Sequence, residues 1–249
     1  EDAVEAAFVI DNNACVDNPI IFNNESGTGC NGITLANSDS VTFIWDYGDC
    51  YTNEETVTIY PFPNTTHTYS QPGIYDVTLT AISFCGVTDT TSKITVYPSP
   101  NVSYVFNDTI CDNDLVSFNS QVSAKSSYIR IDTCNTFPLD TNHITVPGGN
   151  NTFVYSWNFG DPSTMANDTS NLPNPNHIFS GCGTYYVSLL VSDNNGCDSL
   201  YIDTVVVYEL PNASFSAPAI CENNATCIND KSTFNNTSGC YGAPINSWE

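Results

Sequence analysis

The sequence predicts an all-β fold of tandem β-sandwiches, and three observations predict it. First, three motifs recur in order: Trp45-Asp-Tyr-Gly-Asp49 returns as Trp157-Asn-Phe-Gly-Asp161, His67-Thr-Tyr69 as His177-Ile-Phe179, and Gly73-Ile-Tyr-Asp-Val-Thr-Leu79 as Gly183-Thr-Tyr-Tyr-Val-Ser-Leu189. His to Gly is six residues and His to Tyr (Tyr75, Tyr185) is eight in both copies, while Trp to His is 22 in one and 20 in the other. Offsets held this closely are the mark of a repeat architecture. Second, apolar and polar residues alternate in short runs rich in β-branched and aromatic residues. Third, helical periodicity is absent.

Each repeat opens on one pattern: Cys15-x6-Phe22-Asn-Asn, then Cys111-x6-Phe118-Asn-Ser, then Cys227-x6-Phe234-Asn-Asn. Val41 to Tyr47 follows as a period-two strand carrying Trp45, which is expected to fill the core as Trp157 does in the second copy. Gly48-Asp49 and Gly160-Asp161 read as a turn in which Gly relaxes the backbone and Asp bonds nearby amides. Gly73 to Thr80 sets Tyr75, Val77 and Leu79 against Asp76, Thr78 and Thr80, a strand with one face on a core. Tyr75 and its counterpart Tyr185 are therefore taken as structural core residues. Ile94 to Tyr97, Tyr185 to Val191 and Thr204 to Tyr208 alternate in the same way. About seven such strands in roughly 100 residues, punctuated by turns, is the signature of an Ig-like β-sandwich.

The expected organisation is a sandwich over 1–98, a second over 99–210 with an insertion around Ser123 to Asn151, and the start of a third over 211–249. Trp248 falls where Trp45 and Trp157 fall, so the natural polypeptide is expected to continue. Pro98-Ser-Pro100 and Leu210-Pro211 are the linkers, and proline restrains both itself and the residue before it. Adjacent sandwiches are then expected to form a stiff rod.

Composition narrows the function classes. The 249 residues are 41% hydrophobic and 12% charged, a globular balance rather than a disordered one. Against 27 Asp plus Glu stand only 4 Lys plus Arg, giving a net charge of −23. Those four, Lys93, Lys125, Arg130 and Lys231, cannot make the basic footprint that nucleic acid needs. No apolar run is long enough to span a bilayer as a helix. The 11 cysteines without a Cys-x-x-Cys pair, beside only 3 histidines, do not fit zinc spacing and favour an oxidising, extracytoplasmic compartment. The chain is therefore read as exported, its signal peptide removed or lying outside this sequence.

Sharper chemical readings are weaker than plain ones. Paired catalytic carboxylates must be held across a cleft, about 5 to 9.5 Å apart in glycosidases, yet Asp46 is replaced by Asn158 in the second copy, so the motif does not need a carboxylate there. No catalytic residues are assigned. His67 and His177 recur without a second His or Cys at ligand spacing and are assigned a structural turn role, so no metal site is assigned. Calcium is the one ion the Asp- and Asn-dense loops could hold, at Asp11, Asn12, Asn13 and Asp17 or at Asp108, Asp112 and Asp114. No calcium-loop spacing is present, and no cofactor is expected.

Trp-Asp-Tyr-Gly-Asp, then His-x-Tyr, then Gly-x-Tyr-x-Val-x-Leu resembles the polycystic-kidney-disease (PKD) domain, an Ig-like module. The resemblance spans about Ala6 to Pro98 and Pro100 to Pro211, plus the start of a third copy. It departs from the family pattern at Cys50 and Pro162, which stand where a Gly usually follows Gly-Asp. The cysteine-bearing variant, with Cys before the second strand and Gly-Cys197-Asp after the sixth, resembles tandem arrays in giant surface adhesins of gliding bacteria exported by type IX secretion. That resemblance implies an extracellular, cell-surface stalk or adhesive filament without catalytic residues. Its implied partners are neighbouring repeats of the same chain, a surface glycan or protein ligand, and the secretion machinery during export. Asp39-Ser40-Val41, Asp89-Thr90-Thr91, Asp108-Thr109-Ile110, Asp198-Ser199-Leu200 and Asp203-Thr204-Val205 resemble O-glycosylation acceptors of the same bacterial group. The alternative reading is a substrate-binding accessory module of a secreted hydrolase, which a catalytic domain beside the repeats would reveal. A third places the segment as cargo on export machinery.

Four cysteines in a unit permit three connectivities. An Ig-like strand order assigns each loop to one end of a sandwich, and disulfide Cα atoms lie within about 7 Å. On that basis Cys15 pairs with Cys50, Cys30 with Cys85, Cys111 with Cys182, and Cys134 with Cys197. Cys221, Cys227 and Cys240 belong to the third unit, with partners beyond Glu249 or a local bond from Cys221.

Overall fold

A computed structural model of the chain describes residues 4–10, 14–27, 40–58, 60–107, 109–124 and 152–210. The third opening motif over 211–249 and most of the insertion of the second repeat lie outside the described residues. In the first repeat the strands are β1 (Phe8–Ile10), β2 (Ala14–Cys15), β3 (Pro19–Asn24), β4 (Val41–Asp46), β5 (Thr52–Val57), β6 (Thr65–Thr68), β7 (Gly73–Ser83) and β8 (Gly86–Tyr97). The second repeat supplies β9 (Asn101–Val105), β10 (Ile110–Cys111), β11 (Val116–Ser117), β12 (Asn119–Ser123), β13 (Val154–Asn158), β14 (Thr169–Ser170), β15 (Asn176–His177), β16 (Gly183–Ser192) and β17 (Asp198–Tyr208). The fold is an all-β Ig-like sandwich. No helix among the described residues is long and apolar enough to cross a membrane.

In the first repeat a three-stranded sheet, β1-β3-β6, faces a five-stranded sheet, β2-β8-β7-β4-β5. In the second, β10-β17-β16-β13-β14 repeats the five-stranded order, and the pairs β11-β15 and β12-β9 stand for the smaller sheet. The short leading strand pairs parallel with the last strand in both, through Ala14–Val96 and Cys15–Tyr97 in one and Ile110–Val207 and Cys111–Tyr208 in the other. Alternation sets which side chains meet. Tyr75, Val77, Leu79 and Ala81 of β7 are buried against Ile20, Phe22, Phe43 and Trp45. Val187, Leu189 and Val191 of β16 are buried with Phe118, Trp157 and Phe159 in the second repeat.

The hairpin strands are longer than their alternation reveals. β8 begins at Gly86, although its first residues are Thr- and Asp-rich and none of Gly86–Lys93 is buried. Backbone pairing to β7 from Ser83–Gly86 up to Gly73–Val96 holds them extended where burial does not. Among the described residues, Pro162–Asp168 in the loop after the second Gly-Asp forms 3-10 turns broken by a kink at Met165, whose φ is 52°. Proline suits its first turn, and both the backbone N–H and the hydroxyl of Thr164 donate to the Asp161 carbonyl.

The chain divides into two compact units, the first comprising the described residues of 1–101, 122–153 and 192–199, the second those of 102–121, 154–191 and 200–210. The β16–β17 tip, Ser192–Ser199, thus belongs with the first unit, and this corrects the disulfide assignment. Cys15 is bonded to Cys197, 182 residues away, at a Cα–Cα distance of 5.6 Å. The bond replaces both Cys15–Cys50 and Cys134–Cys197. Cys50 is itself disulfide-bonded, and Cys134 lies outside the described residues. Cys111–Cys182 is also not formed, because Cys182 is disulfide-bonded elsewhere and Cys111 is a free, half-buried thiol. Pairing loops only within one sandwich failed because it left out a tip carried in from the next repeat. Cys85 is disulfide-bonded, but Cys30 lies outside the described residues, as do Cys221, Cys227 and Cys240.

Candidate functional site

The recurring motifs build one constellation twice. The second residue of each Trp-centred motif accepts the backbone N–H of the glycine two residues on: Asp46 Oδ1 from Gly48 at 2.9 Å, Asn158 Oδ1 from Gly160 at 2.8 Å. A carboxylate or an amide oxygen serves equally, which explains the exchange of Asp for Asn. Gly48 and Gly160 take φ of 73° and 68°, and a Cβ there would stand 2.6 Å from the carbonyl oxygen of Asp76 or Tyr186. Only glycine meets both demands.

The turn then delivers an aspartate to the histidine of the next strand but one, β6 in the first repeat and β15 in the second. Asp49 Oδ2 lies 2.7 Å from His67 Nε2, and Asp161 Oδ2 lies 3.3 Å from His177 Nε2. Each imidazole stacks on an aromatic ring, His67 on Tyr47 at 4.0 Å and His177 on Phe159 at 4.2 Å. A second ring meets each edge-on, Tyr69 at 4.7 Å and Phe179 at 4.6 Å. The His67 and Asp49 side chains are 12% and 15% exposed, whereas those of His177 and Asp161 are 2% and 1% exposed. Asp161 is held further by Ser180, whose N–H and hydroxyl donate to it at 2.7 and 2.6 Å.

This geometry is a latch between loop and strand. In a nucleophilic triad the histidine bridges serine and carboxylate, whereas here the carboxylate bridges His177 and Ser180, beneath a surface that admits almost no solvent. Among the described residues no three His, Cys, Asp or Glu side chains converge to hold a metal ion. Of the acidic loops singled out from sequence, Asp114 accepts the backbone N–H of Cys111 at 2.7 Å, while Asp11, Asn12, Asn13 and Asp108 lie outside the described residues.

Trp45 and Trp157 are both fully buried, and the Trp157 indole donates to the Leu172 carbonyl at 2.9 Å. Tyr75, buried, donates its hydroxyl to the Gln71 carbonyl at 2.6 Å; Tyr185, half-buried, does the same to Gly181 at 2.8 Å. This four-residue return is the tyrosine corner of Ig-like sandwiches. Two other tyrosines are perturbed. Burial pushes the Tyr47 phenol above its ordinary range against the opposing hydrogen bonds of Thr65 and Asn53. Burial, aided by the Asp203 charge, pushes Tyr104 up further.

The surface that differs between repeats is the outward face of the five-stranded sheet. In the first repeat the middle of that face is polar, where Thr42 bonds Thr56 at 2.8 Å, Thr78 bonds Thr91 at 2.9 Å and Lys93 pairs with Asp76 at 2.6 Å, while the cross-strand pair Ile82 and Val87 is exposed at its hairpin end. Matching motifs and the shared parallel register align Thr42 with Val154, Asp76 with Tyr186, Thr80 with Leu190, Asp89 with Leu200 and Thr91 with Ile202. All five of those second-repeat side chains are exposed, on three strands adjacent in one sheet. In the sequence Tyr186 and Leu190 are masked by the core-facing neighbours Tyr185 and Leu189 within one apolar run, whereas Val154, Leu200 and Ile202 have only half-buried neighbours. The legible signal was the break in alternation at Tyr185-Tyr186 and Leu189-Leu190.

The family model described as the PKD domain matches residues 6–98 and 124–207. The chain belongs to that family. No curated protein sequence matches it. Among solved structures, the fibronectin(III)-like modules of Clostridium thermocellum CbhA are similar at 11% identity and a TM-score of 0.34, over 82% of this chain and 94% of that one. The mouse nectin-like molecule 4 ectodomain (Ig1–Ig3) is similar at 13% identity and a TM-score of 0.27, over 83% and 65%. Invasin, a bacterial integrin-binding protein, is similar at 12% identity and a TM-score of 0.28, over 86% and 42%.

Proposed function

We propose that this member of the PKD-domain family is a non-enzymatic, extracellular segment of a large bacterial surface adhesin, exported by type IX secretion and serving adhesion or gliding as a stiff stalk with a binding face. The observation that carries the reading is the exchange of polar for apolar residues on the outward sheet face of the second repeat, on an otherwise matched core. Exposed contiguous apolar surface on a soluble domain marks an interaction site. Four of its five side chains, Val154, Leu190, Leu200 and Ile202, are aliphatic, which favours a protein ligand over a sugar, since sugars need stacked rings and polar donors. A disulfide and a net charge of −23 suit life outside the cell, the first resisting unfolding and the second keeping neighbouring filaments apart.

The test is a triple substitution, Tyr186→Ser, Leu200→Ser and Ile202→Ser, in the natural full-length protein on its own cells. Adhesion should fall at least tenfold while surface display and melting temperature stay unchanged. Unchanged adhesion at normal display overturns the binding face. A compact particle in small-angle scattering of the repeat array overturns the stalk.

A further inference from the structure

Cys111 occupies in the second repeat the place that Cys15 occupies in the first. Each is the last residue of a two-residue strand in parallel register with the closing strand, opposite Tyr208 and Tyr97 respectively. The next amide donates to that tyrosine carbonyl in both, Asp112 to Tyr208 at 2.8 Å and Val16 to Tyr97 at 3.0 Å. Asn113 and Asp17 then take φ of 69° and 63°, and the following amides turn back to the cysteine carbonyls, Asp114 to Cys111 at 3.0 Å and Asn18 to Cys15 at 3.3 Å. Two cysteines thus sit on the same backbone. Their surroundings differ: Cys15 is 2% exposed and bonded to Cys197, whereas Cys111 is half-buried and free.

Cys197 comes from a hairpin tip of the succeeding repeat, and that tip is preformed. Asp193 Oδ1 accepts the N–H of Asn195 at 2.8 Å and of Cys197 at 2.9 Å, Gly196 takes φ of 82°, and Asp193 N–H donates to the Cys197 carbonyl at 3.0 Å. The sulfur is therefore presented by a rigid Asp-Asn-Asn-Gly-Cys-Asp loop. Residues 211–249 carry the opening pattern of another repeat, Cys227-x6-Phe234-Asn-Asn.

We infer that Cys111 is the receiving half of a second repeat-to-repeat disulfide, closed by a cysteine at the corresponding hairpin tip of the repeat that follows. The bond between Cys15 and Cys197 is then one member of a series in which each repeat's first short strand is stapled to its successor. Formation joins two thiols into one disulfide, and the two electrons and two protons pass to an external disulfide oxidant by successive thiol–disulfide exchanges. The inference rests on the repeats alone and is independent of what the array binds.

The experiment uses the natural full-length polypeptide, alkylated natively with N-ethylmaleimide and mapped by mass spectrometry without reduction. Cys15–Cys197 is the internal reference. Cys111 should appear linked to a hairpin-tip cysteine of the next repeat. Cys111 found alkylated, linked to any position within 1–249, or linked to a second copy of the chain overturns the inference. A Cys111→Ser variant should expose one new alkylatable thiol per chain, at that downstream tip, with Cys15–Cys197 intact. No new thiol, or a new thiol elsewhere, overturns it equally.

Discussion

The two repeats carry matching side chains at the centre, identical except where Phe replaces Tyr, and different ones on the outward sheet face. Phe22, Trp45, Tyr69, Tyr75, Val77 and Leu79 of the first correspond to Phe118, Trp157, Phe179, Tyr185, Val187 and Leu189 of the second. The Asp–His latch keeps its form but changes its depth, partly open at Asp49 and closed at Asp161. The outward sheet face changes its chemistry at five aligned positions, from Thr42, Asp76, Thr80, Asp89 and Thr91 to Val154, Tyr186, Leu190, Leu200 and Ile202. Residues facing inward are constrained by a close-packed interior, whereas a paired strand remains a strand whatever its outward side chains are, provided the backbone ladder is complete. The scaffold can therefore be held constant while the surface is rewritten.

The largest expected effect tests the shared core. Trp45→Ala and Trp157→Ala should each destabilise their own repeat by about 3 to 5 kcal/mol. Hydrogen exchange read separately on β7 and β16 peptides localises the loss. Equal exchange in wild type and either variant would break the correspondence at its centre.

Next comes the turn, where the two repeats should respond alike. Gly48→Ala and Gly160→Ala each force a Cβ against a backbone carbonyl at 2.6 Å with a positive φ, at a cost of about 1 to 3 kcal/mol. A large difference between the two in chemical denaturation would show that the loops are not equivalent. At the latch the responses should diverge. Asp161→Ala leaves Ser180 and His177 without a partner in a dry site and should cost about 2 kcal/mol, while Asp49→Ala, where water can replace the carboxylate, should cost about half of that.

Alkaline pH gives a finer distinction. The Tyr104 phenol is held above the ordinary tyrosine value of 10.0 chiefly by burial, then by the Asp203 charge, and its hydroxyl donates to Val187 at 2.7 Å. A folded-state value raised above the unfolded one means that the phenol's stabilising contribution is intact below about pH 10 and is lost as pH rises towards the folded-state value. Stability should fall as pH rises above 10, and Tyr104→Phe should flatten that fall more than Tyr47→Phe does. Thermal melts between pH 8 and 11 check it; identical slopes for the two variants would remove the distinction. The smallest effect belongs to the rewritten face, where Tyr186→Ser should change stability by no more than about 0.5 kcal/mol, as circular-dichroism melts would show.

The repeat, the sandwich class and the turn glycines were legible in the chain because local geometry demands them. A period-two strand cannot hide its alternation, and a glycine at positive φ beside a carbonyl admits no substitute. The role of each motif aspartate was legible only in outline. Sequence placed Asp49 and Asp161 in turns, but that each reaches His67 or His177 depends on β6 and β15 arriving beside the loop, a juxtaposition of residues 16 to 18 positions apart. The outward face was visible as a break in alternation at Tyr186 and Leu190, yet whether a second apolar side chain in a row is exposed depends on whether anything packs over it. Disulfide partners were least accessible of all. Cysteine spacing restricts pairs only when the loops compared belong to one folded body, and Cys197 reaches Cys15 because the tip Ser192–Ser199 is built into the first unit rather than its own. Pairings across that distance are set by the packed structure, since no local rule of chain geometry spans 182 residues.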